Sequence, residues 1–259
     1  GGGDGAGGSY VLGRLNHPVA GKIIALTGME CRAFDQLALG LATHFMPSDR
    51  MPELERNLAD IARETMGHSV GLVVNMHSDG NSETDDFLSH DIPDGEWPRV
   101  DETDMYMDEA NIPPFTFGFT AESAVLCLAA SLEDIFRRER TVAGIVTGLQ
   151  AAAEDEEMGP HGREVAREVL SRILARSPLA QEATLRLISE GRGSGETMES
   201  CMAREKRVQL RLLQKGDFKA WAARAGEHGC AECEPPANGW THRHVKDVTK
   251  EEVDELFAV

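Results

Sequence analysis

Ala6-Gly7-Gly8-Ser9-Tyr10-Val11-Leu12-Gly13-Arg14-Leu15 is the first informative stretch of the chain. The second is Ala25-Leu26-Thr27-Gly28, running on to Gly40-Leu41-Ala42-Thr43-His44-Phe45. Around them the pattern is helical. Pro18 to Thr27 is apolar, and Gly28 stands where a helix stops, because a residue without Cβ tolerates the left-handed closing turn. Phe34, Leu37 and Leu41 recur at helical spacing, which predicts a short helix over Arg32 to Gly40. A longer helix is predicted from Met51 to Met66, capped by Ser48 or Asp49, with Leu54, Leu58 and Ile61 on one side.

Near Gly67 the regime changes. Val70 to Met76 is short and apolar, readable as a buried strand or a helix turn. From Ser78 to Pro114 the chain is crowded with Asp and Glu, opposed only by Arg99 and broken by Pro93, Pro98, Pro113 and Pro114. Such a stretch cannot bury enough apolar surface to offset its ordering entropy, so an exposed, largely disordered insertion is expected. It lacks the Asp-x-Asp-x-Asp-Gly order of a calcium loop.

After Phe119 helices return. Thr120 is predicted to cap Ala121 to Ala130, and Ser131 to cap Leu132 to Arg138. Thr141 to Glu156 presents Val142, Ile145, Val146 and Leu149 on one face, and Arg163 to Ala175 presents Val165, Val169, Leu170, Ile173 and Leu174. Ser177-Pro178 opens a helix that ends at Gly191. Glu196 to Lys215 reads as the longest helix, closed by Gly216, with Met198, Met202, Val208 and Leu212 with Leu213 as its core face. Thr249 with Glu252 forms a capping box before a last helix, Lys250 to Phe257.

A chain of 259 residues with a formal charge of −18 holds room for a full core and repels a nucleic-acid backbone. No apolar run is long enough to span a bilayer, so no membrane partner is expected. Gly1 to Gly8 carry neither a secretory signal pattern nor an Arg-rich transit pattern. The five cysteines, an odd number and widely scattered, fit a reducing compartment better than a disulfide framework. Cys230-x-x-Cys233, with His228, His242 and His244 nearby, has zinc-like ligand types, but Pro235-Pro236 intervene and a solvated loop with free thiols is the simpler reading.

The two opening pieces, in this order and spacing, resemble the enoyl-CoA hydratase/isomerase (crotonase) superfamily, in its 3-hydroxyisobutyryl-CoA hydrolase branch. Four further pieces follow in family order. Ser177-Pro178 with Glu190-Gly191 is similar to the family's Ser-Pro helix and its Glu-Gly turn. Glu205 and Arg207 match its Glu-x-Arg helix, and Gly216-Asp217-Phe218 with Arg224-Ala225 its Asp-Phe turn, though with one extra residue. Trp240, Val248-Thr249 and Glu251 to Phe257 match its closing segment. The resemblance implies a crotonase-like α/β class, with this part predominantly α-helical and carrying few short strands. It also implies that residues 1–66 are the C-terminal piece of the core, 67–119 the acidic insertion and 120–259 a helical region. The basic loop that follows the family's Asp-Phe turn is replaced here by His228 to Asn238.

The implied reaction is hydrolysis of a short 3-hydroxyacyl-CoA in valine breakdown, in the mitochondrion. It would use an acyl-CoA substrate and no metal or redox cofactor, with a homo-oligomer left open. Thioester hydrolysis needs backbone N–H groups for the oxyanion and a carboxylate to activate or replace water. In the family both come largely before the opening motif, so the chain reads as a C-terminal part lacking the catalytic Glu. Met51-Pro52-Glu53 has the family's Met-Pro-Glu composition but lies on the wrong side of the motif, where a helix N-terminal Glu is the simpler account. Three readings of the first residues stay open. Asp4 is the substrate-facing carboxylate, one residue early; or Gly1-Gly2-Gly3-Asp4-Gly5 is the end of the oxyanion loop, with Gly2 carrying its N–H and Asp4 idle; or the glycine-rich end has no role. Arg204, Lys206 and Arg207 are the nearest approach to a CoA-phosphate patch, or else a solvated helix face. The alternatives are an enoyl-CoA hydratase or isomerase, and a non-catalytic helical partner of an intact crotonase subunit. An exposed apolar face on Val165 to Ile188 would favour the partner.

Overall fold

The helical patterns fold as helices in a computed structural model that describes residues 7–17, 19–64, 123–228 and 239–258. Among the described residues there is no strand. In chain order the helices are α1 (Gly8–Leu12), α2 (Ala20–Thr27), α3 (Ala33–Ala38), α4 (Met51–Glu64), α5 (Ala124–Arg138) and α6 (Val142–Glu154). There follow α7 (Gly159–Leu174), α8 (Pro178–Gly191), α9 (Met198–Leu212), α10 (Gly216–His228) and α11 (Lys250–Phe257). They form two units, one from Gly1–Cys31 with Ala124–Val259 and the other from Arg32–Ser123.

In the first unit α2 is the buried element. Val19, Ala20, Ile23 and Leu26 are excluded from water, and α2 packs against α1, α5, α7 and α8. Burying one such Leu or Ile side chain stabilises the fold by about 1.5–3 kcal/mol. Gly21 lets α2 approach α1 closely: a Cβ there would stand 1.9 Å from the carbonyl oxygen of Leu12. Helices α6 and α7 pack on each other and bury Val142, Ile145 and Leu149 on one and Val165, Ala166, Val169 and Ile173 on the other. A second cluster joins Leu179 and Ala183 of α8, Val208 of α9, and Leu256 and Phe257 of α11.

Helix ends in this unit are closed by charges from elsewhere in the unit. The Glu182 carboxylate of α8 accepts the Val142 N–H at the start of α6, at 2.9 Å. At C-termini the partners are cations. Arg176 donates to the Thr27 carbonyl of α2 (2.8 Å), Lys22 to Phe136 of α5 (2.7 Å) and Arg167 to Ala153 of α6 (2.8 Å). Arg211 spans the Glu255, Leu256 and Ala258 carbonyls at the end of α11. Each sign is the one the helix dipole favours, worth about 0.3–1 kcal/mol at an exposed end and up to about 2 where partly buried.

In the second unit the buried Asp35 accepts the Arg32 N–H and the Ser123 hydroxyl, each at 2.8 Å, and so closes the start of α3. Phe34 and Phe45 are paired at 5.5 Å between ring centroids. Helix α4 is preceded by a 3-10 turn, Ser48–Arg50, so the two candidate caps lie within that turn.

Three predicted boundaries move. Thr120 lies outside the described residues, and Ser131 caps nothing: its hydroxyl donates back to the Cys127 carbonyl (2.9 Å), so α5 runs unbroken through both predicted helices. Helix α7 starts at Gly159, with Pro160 in its first turn where no N–H is needed. Gly216 opens α10 rather than closing α9, so the Asp-Phe piece is a helix start. Val70 to Met76 and the acidic stretch lie outside the described residues.

Candidate functional site

Helix α1 holds five residues, too few to be stable alone, since nucleating a helix costs more than one turn returns. Its surroundings fix it. Gly7, at φ 80°, caps the helix in the left-handed region, and a Cβ there would also meet the Met198 sulfur. The Gly7 N–H donates to Glu205 Oε2 at 3.0 Å and the Ser9 N–H to Oε1 at 2.6 Å. Glu205 comes from α9, 198 residues away from Gly7 along the chain, and is 4% exposed. With both oxygens taken by backbone donors, this carboxylate is an anchor, not a free base.

The far end of α1 is held by Arg14. Its guanidinium lies 3.8 Å from the centre of the Tyr10 ring and donates to the carbonyls of Gly191, the last residue of α8, and of Gly193 (3.1 Å) and Glu196 (3.4 Å) just past it. Gly191 packs on the Ser9 backbone, where a Cβ would come within 2.6 Å of the Ser9 carbonyl oxygen. A third junction ties the later pieces together. The Asp217 carboxylate, buried at the start of α10, accepts the Ser177 hydroxyl and, at 2.7 Å, the Thr241 N–H. Ser177 in turn caps α8 through the Ala180 N–H. Four of the pieces selected one by one from the sequence are thus joined by hydrogen bonds: the opening motif to the Glu-x-Arg helix and the Glu-Gly turn, and the Asp-Phe piece to the Ser-Pro helix.

The residues predicted to do chemistry fare differently. Gly2, Gly3 and Asp4 lie outside the described residues, as do Cys230 and Cys233. Glu53 is exposed in the first turn of α4. In the basic patch Arg204 is bound by Glu190 (3.1 Å) and Glu196 and only 12% exposed, so its charge is already matched. Lys206 is exposed and Arg207 half-buried. His242 turns to Glu252 at 3.1 Å and His244 is exposed; among the described residues no cluster of metal ligands forms. Cys127 and Cys201 are free thiols.

Burial sets the electrostatics of the flanking groups. It lowers the pKa of His17, against the opposing charge of Glu133. It lowers that of Lys22, helped by Arg140 and Arg192, and raises that of Glu182. The anchoring roles of Glu205 and Arg14 escaped the sequence reading, although both residues belong to quoted pieces. The signal was the company they keep: an acid and a base that recur with glycine turns far away along the chain.

The sequence model of the enoyl-CoA hydratase/isomerase family matches residues 4–96 and 118–257. The mitochondrial 3-hydroxyisobutyryl-CoA hydrolase of Homo sapiens is 24% identical over 252 residues, 97% of this chain and 51% of the relative. The small ribosomal subunit protein mS47 of Arabidopsis thaliana is 26% identical over 98% of this chain and 50% of its own. Among solved structures, a carnitinyl-CoA dehydratase from Mycobacterium thermoresistibile superposes with a TM-score of 0.60 at 21% identity, over 98% of this chain and 55% of that one. The chain spans about half the length of the relatives it matches. With the family model covering most of its residues, the chain belongs to the enoyl-CoA hydratase/isomerase family.

Proposed function

We propose that this chain is part of a CoA-thioester hydrolase acting on a short branched 3-hydroxyacyl-CoA such as 3-hydroxyisobutyryl-CoA. The observation that carries the reading is the interlocking of the hydrolase-like pieces. The opening motif bonds to the Glu-x-Arg helix and the Glu-Gly turn, and the Asp-Phe piece to the Ser-Pro helix. Similarity to hydrolases along nearly the whole chain supports it. In this reading the described helices are the scaffold, and Gly2, Gly3 and Asp4 belong to the substrate-facing segment just before α1. The work is done in the mitochondrion, as the relatives' names suggest, without a metal or redox cofactor.

The test is release of free CoA by the longest natural polypeptide that contains this sequence. Thiol release from 3-hydroxyisobutyryl-CoA, unaffected by a chelator and without hydration of crotonyl-CoA, is the expected result. Hydration without thiol release would favour the hydratase alternative. The non-catalytic reading is kept by the likeness to a ribosomal subunit protein and predicts neither activity. On α7 and α8 the face is mostly buried, with Leu174 exposed at the end of α7, which gives little support to a partner role.

A further inference from the structure

We infer that Lys22 is an acyl-acceptor site, whose Nζ takes the acyl group from an acyl-CoA thioester by direct attack. The site depends on the fold around α2 and on the chemistry of thioesters, whichever reaction the whole protein performs.

The setting of the amine carries the inference. Lys22 lies half-buried on α2, and its Nζ donates to the Phe136 carbonyl in the last turn of α5 at 2.7 Å. Among the described residues that carbonyl is its hydrogen-bond partner, and no carboxylate pairs with it. The charges that bear on it are both cations: Arg140, two residues past α5, and Arg192, at the end of α8. Burial and two like charges oppose a further positive charge, so this amine gives up its proton more readily than a solvated one. Desolvation beside another cation is how a lysine becomes nucleophilic near neutral pH.

The residue type sharpens the point. The carbonyls at the ends of α2, α6, α8 and α11 are held by arginines: Arg176, Arg167, Arg14 and Arg211. A guanidinium makes the same kind of bond and stays charged at any physiological pH. At α5 the holder is a lysine, which can do what an arginine cannot: lose its proton and attack. Arg140 and Arg192 also give a chain of net charge −18 a local positive field, which draws an anionic acyl-CoA toward the amine.

In the step, the unprotonated Nζ adds to the thioester carbonyl. A C–N bond forms, the C–S bond breaks, and CoA leaves as a thiolate that takes up the proton shed by the nitrogen. The products are an acylated Lys22 and free CoA. The new amide keeps one N–H for the Phe136 carbonyl, but the positive charge at the end of α5 is gone.

The test incubates the longest natural polypeptide that contains this sequence with acetyl-CoA near neutral pH and follows acetylation of each lysine peptide by mass spectrometry. Lys206, Lys215, Lys219, Lys246 and Lys250 are references within the same sample; Lys215 is paired with Glu255 and the others are exposed. The expected initial rate at Lys22 is at least about tenfold above the mean of these five, and the preference vanishes when the chain is unfolded in urea. Arg140→Gln, a change at an exposed side chain, keeps the Tm and lowers the Lys22 rate at least about threefold, with the references within about twofold. A Lys22 rate within about twofold of the references overturns the inference. A preference that survives unfolding also overturns it, since the local sequence and not the fold would then set the rate. So does an Arg140→Gln protein that keeps both its Tm and the wild-type Lys22 rate. None of these outcomes bears on the hydrolase reading, which stands or falls on thiol release from 3-hydroxyisobutyryl-CoA.

Discussion

Helices α1 and α11 are both short, and they are held in place by opposite means. Helix α1 is glycine-bounded and buries one side chain, a serine; it is located by Glu205 at its start and Arg14 at its end. Helix α11 drives Leu256 and Phe257 into a cluster with Leu179, Ala183 and Val208, and most of its polar bonds are exposed. Apolar burial scales with area and is indifferent to direction, so it stabilises. Bonds from a buried carboxylate to two amides are directional, so they orient. The two helices show where this scaffold keeps its stability and where it keeps its geometry.

The largest effect should come from the apolar side. Leu256→Ala leaves a cavity in the cluster and is expected to cost about 3 kcal/mol, within the usual 2–5, in urea unfolding. If it costs under 1 kcal/mol, α11 is not a stabilising element and the contrast breaks. Glu205→Ala strands two amide donors and is expected to cost about 2 kcal/mol, since each unsatisfied group costs about 1–3. Thr249→Ala removes the α11 cap, whose hydroxyl accepts the Glu252 N–H, for about 1 kcal/mol. Arg211→Ala should cost less than about 1 kcal/mol, because the carbonyls it leaves are near water.

A pH experiment sharpens the comparison on the α1 side, where His17 follows the helix. Burial holds its folded pKa below the ordinary 6.5, so above 6.5 the ring is neutral in both states and contributes nothing. As pH falls below 6.5 the unfolded chain takes up the proton first, and stability is lost. Unfolding free energy should therefore decline from pH 7 toward 5, and His17→Gln should flatten that slope. An unchanged slope would mean that carboxylates alone set it.

Most helices were legible because their signals are local. The capping box of Thr249 with Glu252, the Ser177-Pro178 start and the Gly28 stop are each written within a few residues. The misplaced boundaries came from residues with two local uses: Ser131 bonds back along its helix instead of capping, and Gly216 begins a helix instead of ending one. Helix α1 was not legible, since a stretch opening on Gly7 and Gly8 has no helical propensity and takes its shape from Glu205 nearly 200 residues later. The family pieces were visible as words, but the bonds that make them a sentence are tertiary. Asp217 on Ser177 and Arg14 on Gly191 follow no spacing rule.

The most direct test of this division is native-state hydrogen exchange of the Gly7, Ser9 and α11 amides in the wild type and in Glu205→Gln. Loss of about 2 kcal/mol at α1 corresponds to roughly thirtyfold faster exchange, and the account predicts it for Gly7 and Ser9 with α11 unchanged. Equal acceleration in both helices, or none at Gly7 and Ser9, would contradict it.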